Sequence, residues 1–213
     1  MNKIISNISI SLATLFCLAS CGNNTTTSTT ISSSTSTNNV TSSTTVSSGE
    51  IENNSKAIVV YYSATNNTEK VAQTIAEHIN APLYKLEPVN PYTSADLNYN
   101  NSNSRVSIEH NDPNRHVELD TVSFDGFSSA EYVFLGAPVW WQQLSWVVDD
   151  FVKLNDFSNK TIIPFGTSAS SSFSVDNLKP YASSATWLTR QRFSSRPDES
   201  TVTSWVDSLN LSL

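Results

Sequence analysis

"KAIVVYYSATNNTEKVAQTIAEHI", residues 56–79, is the stretch of sequence that decides the fold. Its first part, residues 56–63, is rich in β-branched and aromatic residues without alternation, which is typical of a strand covered on both faces of a parallel sheet. From Asn67 onward, apolar residues recur at four-residue spacing among charged and amide side chains, as in an amphipathic helix. These apolar positions are Val71, Ile75 and Ile79. A buried strand followed directly by such a helix begins a βαβ pattern.

The same alternation of strand and helix continues to the end of the chain. Apolar segments predict further strands at 81–88, 131–139, 160–168 and 186–193. Helices are predicted at about 145–154 and 198–211, with shorter ones within 89–120 and at 175–182. Because helices separate strands that are all rich in apolar residues, the sequence predicts an α/β fold with a doubly wound, five-stranded parallel sheet.

The N-terminal part of the chain has a different composition. Residues 1–20 carry one basic residue and then a short apolar stretch, which predicts a secretory signal peptide. The signal ends in "LASC", residues 18–21, which resembles the lipobox of bacterial lipoproteins and makes Cys21 the predicted lipidation site. An ordinary secretory signal with a chance cysteine is the alternative. Residues 21–55 are nearly all Ser, Thr and Asn and predict a disordered tether, so 56–213 is the expected folded domain.

These features give an expected location and exclude several classes of function. A lipoprotein would lie outside the cytoplasm, anchored to the cell membrane by its N-terminal lipid alone. Cys17 would leave with the signal, so the folded domain has no thiol for a disulfide, redox or zinc-finger role. The net charge of -7 excludes binding to nucleic acid or an anionic membrane through charge. The acidity serves either solubility or the attraction of a basic redox partner.

In a doubly wound sheet, ligands bind beyond the carboxyl ends of the strands. The first such loop is a cluster of hydroxyl and amide side chains at the start of a helix, where unpaired N–H groups and the helix dipole favour an anion. The cluster comprises Ser63, Thr65, Asn66, Asn67 and Thr68. Helix capping uses the same residue types and is the structural alternative.

The loop after the third predicted strand carries adjacent tryptophans. It comprises Ala137, Pro138, Val139, Trp140 and Trp141. Neighbouring side chains in extended chain point in opposite directions, so at least one indole is expected to meet a ligand or solvent. A planar ring system would suit an indole face, although a core role for a tryptophan stays open.

The loop after the fourth predicted strand is made of small and hydroxyl residues. It comprises Thr167, Ser168, Ala169, Ser170 and Ser171, with Ser172 following. Small residues allow close approach of the backbone to a ligand, and hydroxyls supply hydrogen bonds. Together, a phosphate loop, an aromatic face and a close backbone describe a site for flavin mononucleotide (FMN).

The sequence resembles the flavodoxin family. "YYSATNNTEKVAQTIAE" is similar to the family's phosphate loop, and "LGAPVWW", "IIPFGTSASSSF" and "LEPVNPY" resemble a branch with a paired-tryptophan loop. The resemblance covers about 56–209 and implies a three-layer α/β/α fold, strand order 2-1-3-4-5, bound FMN, and electron transfer or flavin-dependent reduction. By the same resemblance, the phosphate ligands are Ser63, Thr65, Asn67 and Thr68. The loops on the two sides of the flavin ring are 138–141 and 167–171.

The match departs from the family pattern at four positions. Asn66 replaces a glycine, but asparagine tolerates a positive φ better than most residues. In the third loop, glycines are replaced at Ala169, Ser170 and Ser172. If such a position needs a positive φ, Ala169 would be strained.

Other chemistries have little support in the sequence. Neither a Gly-x-Ser-x-Gly motif nor a P-loop occurs, so serine hydrolase and nucleotide kinase functions lack a motif. The three histidines, His78, His110 and His116, lack metal-ligand spacing and are expected on the surface. Asp149 and Asp150 are expected to be solvated helix positions. The sequence therefore predicts no metal site and no catalytic acid or base.

Three hypotheses of function follow. The first is an FMN-binding electron-transfer protein that exchanges electrons with a partner protein or a small-molecule acceptor. The second is an FMN-dependent NAD(P)H:quinone-type reductase. The third is a flavin-free surface binding module that has kept the fold.

Overall fold

The computed structural model describes residues 55–169 and 171–213. The predicted signal peptide, the lipidation site Cys21 and nearly all of the predicted tether lie outside the described residues, as does Ser170. In the part of the chain that is described, no helix is both long enough and apolar enough to span a membrane.

The first strand and helix form as predicted. β1 spans Ala57–Tyr61, and all of its residues are buried, as expected for a strand covered on both faces. α1 spans Asn67–Ile79 and buries one apolar face. The helix ends at Asn80, whose left-handed φ of 49° directs its N–H toward the carbonyls of Ala76 and Glu77.

The remaining strands complete one sheet around β1. They are β2 (Leu83–Lys85), β3 (Tyr132–Trp140), β4 (Gln143–Leu144), β5 (Thr161–Thr167), β6 (Thr186–Trp187) and β7 (Gln191–Phe193). The order is β2-β1-β3-β5, with β6 and β7 both pairing with β5 and β4 forming an antiparallel hairpin with β3. The other pairings are parallel, so the doubly wound sheet with order 2-1-3-4-5 is confirmed for the five predicted strands.

The fifth predicted strand, residues 186–193, is not continuous. β5 residues Ile162 and Phe165 are three steps apart, whereas their partners Trp187 and Gln191 are four steps apart. The edge strand therefore carries one extra residue, which interrupts the pairing as a β-bulge does.

The helices lie between the strands as expected, with some differences in length and type. α2 spans Arg105–Asn111, α3 spans Asp149–Leu154 and α4 spans Glu199–Ser208. The helix predicted at 145–154 begins as a 3₁₀ turn over Trp146–Val148, and the one predicted at 175–182 is a 3₁₀ helix over Lys179–Ala182.

Apolar cores cover both faces of the sheet. Alternate β1 residues belong to different cores: Ile58 and Val60 pack on the side of α2 and α3, whereas Ala57 and Val59 pack on the side of α1 and α4. This arrangement gives the predicted three-layer architecture. Across the sheet, Gly136 pairs with both Tyr61 and Phe165, so the loops after β1, β3 and β5 leave the same edge.

Candidate functional site

The first loop has a conformation that leaves its polar groups available. Asn66 adopts a left-handed φ of 61° immediately before α1, and it makes no side-chain capping hydrogen bond. The Asn67 amide instead donates to Thr65 Oγ1 at 3.1 Å. Because the first N–H groups of a helix lack intrahelical partners, they remain free for an anion. Helix capping therefore does not explain the loop.

Ser63 supplies a second indication of a ligand. Its residue is 8% exposed, and its buried hydroxyl has no hydrogen-bond partner among the described residues. A buried polar group without a partner costs free energy, and this cost is removed when a ligand atom bonds to it. The predicted phosphate ligand thus has the unused hydrogen-bonding capacity that its role requires.

A hydrogen bond joins the first loop to the third. Thr68 Oγ1 and Thr167 Oγ1 lie 2.8 Å apart, and both residues are buried. The structure therefore brings together two hydroxyls that are separated by 99 positions in the chain. Thr68 and Thr167 bond to each other and fix the spacing of the loops, which leaves Ser63 and the exposed Thr65 as the freer hydroxyls.

The paired tryptophans lie at a tight hairpin rather than in an extended segment. β3 and β4 pair Trp140 with Gln143, and the two residues between them, Trp141 and Gln142, have φ values of 44° and 62°. Two central residues with positive φ are typical of a type I′ turn, which usually contains glycine or asparagine. The prediction that one indole would be exposed is correct, since Trp141 is 39% exposed, but the turn rather than strand alternation produces it.

Trp140 belongs to a cluster of rings that we call the aromatic wall: Tyr62, Tyr92, Trp140 and Trp146. The Trp140 centroid lies 4.9 Å from that of Trp146, 5.3 Å from that of Tyr92 and 5.9 Å from that of Tyr62. These edge-on contacts are favourable for aromatic rings and hold the Trp140 plane in place. Ala137 and Val139 precede it in β3, and Ala137 is fully buried, so only its backbone could meet a ligand.

Glu109 holds the aromatic wall together from α2. Its carboxylate accepts hydrogen bonds from Tyr92 Oη at 2.6 Å and from Trp146 Nε1 at 2.8 Å. Its other oxygen accepts from Arg105 Nε at 2.6 Å. The Arg105 guanidinium also lies 3.9 Å over the Tyr92 ring. Such charge-assisted hydrogen bonds are stronger than neutral ones. Glu109 and Arg105, which both belong to the 89–120 segment, therefore hold the rings of Tyr92 and Trp146 in place.

His110 is not the free surface residue that the sequence predicted. Its ring stacks on Trp141 with centroids 4.2 Å apart and planes inclined by 12°. Burial and the nearby Arg115 lower the pKa of the His110 imidazole, which favours the neutral ring. Each of the other histidines lies beside a carboxylate: His78 Nε2 is 2.6 Å from Asp207 Oδ1, and His116 Nδ1 is 3.1 Å from Asp150 Oδ2.

The prediction that Asp149 and Asp150 are solvated is wrong. Asp150 is 9% exposed, and one Asp149 carboxylate oxygen is buried without a hydrogen bond. Burial raises the pKa of Asp149 above its usual range, although Lys153 and Arg115 oppose this change. The pair begins α3, and residues of the 89–120 segment pack against it, which the sequence pattern of the helix could not reveal.

The third loop is ordered by its own hydrogen bonds. Ser168 Oγ donates to the Ser171 carbonyl at 2.6 Å, and the Ser168 N–H donates to the Phe193 carbonyl at 3.1 Å. Arg192 donates to the Ser168 carbonyl at 3.0 Å. Ala169 is exposed and is not one of the described residues with a positive φ, so the strain considered for it does not arise. Ser170 lies outside the described residues.

The second and third loops enclose a cleft, which we call the ring cleft. It has a volume of about 450 Å³, with Trp140 and Trp141 on one side and Ser168, Ala169 and Ser171 on the other. Tyr99, which is 71% exposed, also lines it. No sequence pattern indicated a role for Tyr99, Glu109 or His110, because all three come from the polar 89–120 segment and reach the site only through folding.

This geometry can hold an anionic group at one end and a planar ring at the other. The uncapped helix start and the unpartnered Ser63 hydroxyl fit a phosphate, and the ring cleft fits a flat aromatic system. Within the described residues, no cluster of His, Cys, Asp and Glu could hold a metal ion.

A known protein family and several solved structures resemble this chain. The profile of the family described as Flavodoxin matches residues 56–209. A candidate flavoprotein from Bacteroides eggerthii DSM 20697 is 32% identical with a TM-score of 0.65, over 73% of this chain and 98% of that chain. A second candidate flavoprotein, from Bacteroides uniformis ATCC 8492, is 29% identical with a TM-score of 0.66, over 71% of this chain and 97% of that chain. No curated protein sequence matches the chain.

Proposed function

Since this chain belongs to the flavodoxin family, we propose that it binds FMN and transfers electrons outside the cytoplasm. Family membership supports FMN as the cofactor. The observation that carries the proposal is that the three loops leave one sheet edge, where a hydrogen bond of 2.8 Å between Thr68 and Thr167 joins the first loop to the third. That contact places the phosphate loop directly beside the loop that lines the ring cleft. The tandem Trp140 and Trp141 further support assignment to the paired-tryptophan branch.

The residues of the site would divide the binding of FMN between them. Ser63, Thr65 and the N-terminal N–H groups of α1 would bind the phosphate, because hydroxyl and amide donors and the helix dipole all favour an anion. Trp140 would contact the flavin ring, and the backbone of Ser168 and Ala169 would approach it from the other side. When bound, FMN supplies the redox chemistry. The chain's own residues orient the ring and limit its contact with water.

The partner in electron transfer would be a protein with a basic surface or a small-molecule acceptor. The formal net charge of -7 favours association with a basic surface through long-range attraction. This attraction weakens as salt screens it, over a distance of about 10 Å at 0.1 M ionic strength.

The test of this proposal is a titration of the full chain with FMN, followed by flavin fluorescence and visible absorption. We expect quenching of FMN fluorescence and a retained yellow colour after gel filtration. Flavin fluorescence that stays unchanged at saturating protein would contradict the proposal and favour the flavin-free module. Steady-state oxidation of NADH or NADPH by the FMN-loaded chain would instead favour the reductase hypothesis.

We also propose that the mature protein is a lipoprotein anchored to the cell membrane through Cys21. The run "LASC" at the end of an apolar N-terminal segment supports this location. Replacing Cys21 by Ala should move the protein from the membrane fraction to the soluble fraction, and incorporation of labelled fatty acid should be lost. A wild-type chain that takes up no fatty acid would contradict it.

A further inference from the structure

A second cleft lies on the other side of the aromatic wall. Its volume is about 310 Å³, within the range of roughly 300–1,000 Å³ for small-molecule sites. Tyr62 and Tyr92 line it together with Pro88 and Pro91. Among the described residues, the second cleft and the ring cleft have no lining residue in common. The two clefts are therefore separate openings in the protein surface.

The aromatic wall connects the two clefts physically. Tyr62 and Tyr92 line the second cleft, and both of their rings contact Trp140, which lines the ring cleft. The wall has a fixed geometry because Glu109 accepts the Tyr92 hydroxyl hydrogen bond. A ligand in the second cleft would thus meet preformed aromatic and proline surfaces, which favour a ring.

The charges around the second cleft favour a cationic ligand. Lys85 Nζ lies 3.2 Å from Glu87 Oε1, so these two charges offset each other. Arg105 is likewise paired with Glu109 at 2.6 Å. Asp120 also lines the cleft and, within the described residues, has no ion-pair partner. One uncompensated carboxylate beside two tyrosine rings attracts an ammonium group and repels an anion.

The second cleft also contains an unsatisfied hydroxyl. Ser63 lines it, is 8% exposed, and has a buried Oγ without a hydrogen-bond partner. A hydroxyl can donate to or accept from a ligand hydroxyl. A ligand of the second cleft would therefore carry a hydroxyl group in addition to an aromatic ring and an ammonium group.

We propose that the second cleft binds a small aromatic amine that carries a hydroxyl group. Its ring contacts Tyr62 and Tyr92, its ammonium group pairs with Asp120, and its hydroxyl bonds to Ser63. Ser63 is also a proposed phosphate ligand, so its bond to the amine's hydroxyl forms only when FMN is absent. The ring and ammonium contacts come from residues that the proposed FMN site does not use.

Tyramine is the probe, and its binding to the FMN-free full chain is followed by calorimetry and by ¹⁵N NMR. Saturable binding with shifts at Tyr62, Val89 and Tyr92 is expected. The anion 3-(4-hydroxyphenyl)propionate keeps the ring and hydroxyl, and it should bind about tenfold more weakly because Asp120 repels it. Absence of saturable tyramine binding, or equal binding of the anion, would overturn the proposal.

Two variants locate the binding. Val89→Trp fills the second cleft from its exposed rim and should abolish tyramine binding, whereas Ile108→Trp, at an exposed position outside the cleft, should not. Asp120→Asn should weaken tyramine binding about threefold. If Val89→Trp binds tyramine as the wild type does, the cleft is not the site.

A titration in the presence of FMN separates this inference from the proposed function. Tyramine should still bind when FMN is present, about fivefold more weakly, because the contacts with Tyr62, Tyr92 and Asp120 remain while the Ser63 hydroxyl bonds to the phosphate. Mutual exclusion of the two ligands would show that the second cleft belongs to the FMN site and would overturn the inference. Failure of the chain to bind FMN would contradict the proposed function while leaving the tyramine result intact.

Discussion

The phosphate loop and the aromatic wall are expected to hold opposite ends of one ligand, yet they are built in different ways. The phosphate loop is contiguous, residues 63–68, and its key feature is a local backbone conformation at Asn66. The aromatic wall assembles four rings from three separate parts of the chain, and Glu109 joins two of these rings by hydrogen bonds. The comparison teaches that the phosphate end is encoded locally, whereas the ring end depends on long-range packing. Substitutions should therefore affect the two ends differently.

The largest effect is expected from a change in the sheet that supports both regions. A Cβ atom at Gly136 would lie 2.1 Å from Phe165 Cζ, and Phe165 is fully buried. Gly136→Ala should therefore lower the free energy of unfolding by about 3 kcal/mol, measured by denaturant unfolding. Gly166→Ala is the matched control, because its nearest contact is 2.8 Å and the loss should be smaller. Wild-type stability of Gly136→Ala would show that the sheet can shift to accommodate the methyl group.

The next largest effect should come from breaking the aromatic wall. Glu109→Ala leaves Tyr92 Oη, Trp146 Nε1 and Arg105 without their common acceptor, which should cost about 2–3 kcal/mol of unfolding free energy. Because the wall is proposed to face the flavin ring, FMN and riboflavin should lose affinity equally in a fluorescence titration. Glu118→Ala, at an exposed position, is the control. A loss confined to FMN would contradict this division of roles.

A change in the phosphate loop should give the opposite selectivity. Thr65 is exposed, so Thr65→Ala should leave the fold intact and remove one hydroxyl near the phosphate. FMN affinity should fall by about 1 kcal/mol, roughly fivefold, and riboflavin affinity should not change. Thr74→Ala, further along α1, provides the control. Equal loss of FMN and riboflavin would argue against a phosphate site in this loop.

The smallest effect concerns pH and the start of α3, which follows Trp146. Burial raises the pKa of Asp149 above its ordinary value of 3.8, so the unfolded chain loses this proton at a lower pH than the folded chain does. Stability from this group is present below pH 3.8 and is lost as the pH rises through the folded pKa. Asp149→Asn should therefore be more stable than the wild type at neutral pH and equal to it at low pH, as measured by denaturant unfolding across pH. Asp125→Asn, at an exposed position, should show no such difference.

Much of the fold could be predicted because its signals are local. The buried run of β1 and the four-residue spacing of α1 predict their own structures, and the positive φ at Asn66 follows from a residue type that tolerates it. The interruption between β6 and β7 could not be predicted, since an extra residue on an edge strand appears only when its partner strand is known. Which of the two tryptophans is exposed could not be predicted either, because it depends on the hairpin with β4.

The sequence by itself determined the alternation of strands and helices, the order of the three loops and the residue types that could bind a phosphate. These properties depend on periodicity and on side-chain chemistry, which act over a few residues. Only the tertiary structure decided that Glu109 and His110 would contact the tryptophans, that Asp149 would be buried, and that a second cleft would lie behind Trp140. Those contacts join residues distant in the chain, and their energies exist only after the 89–120 segment has packed against the sheet.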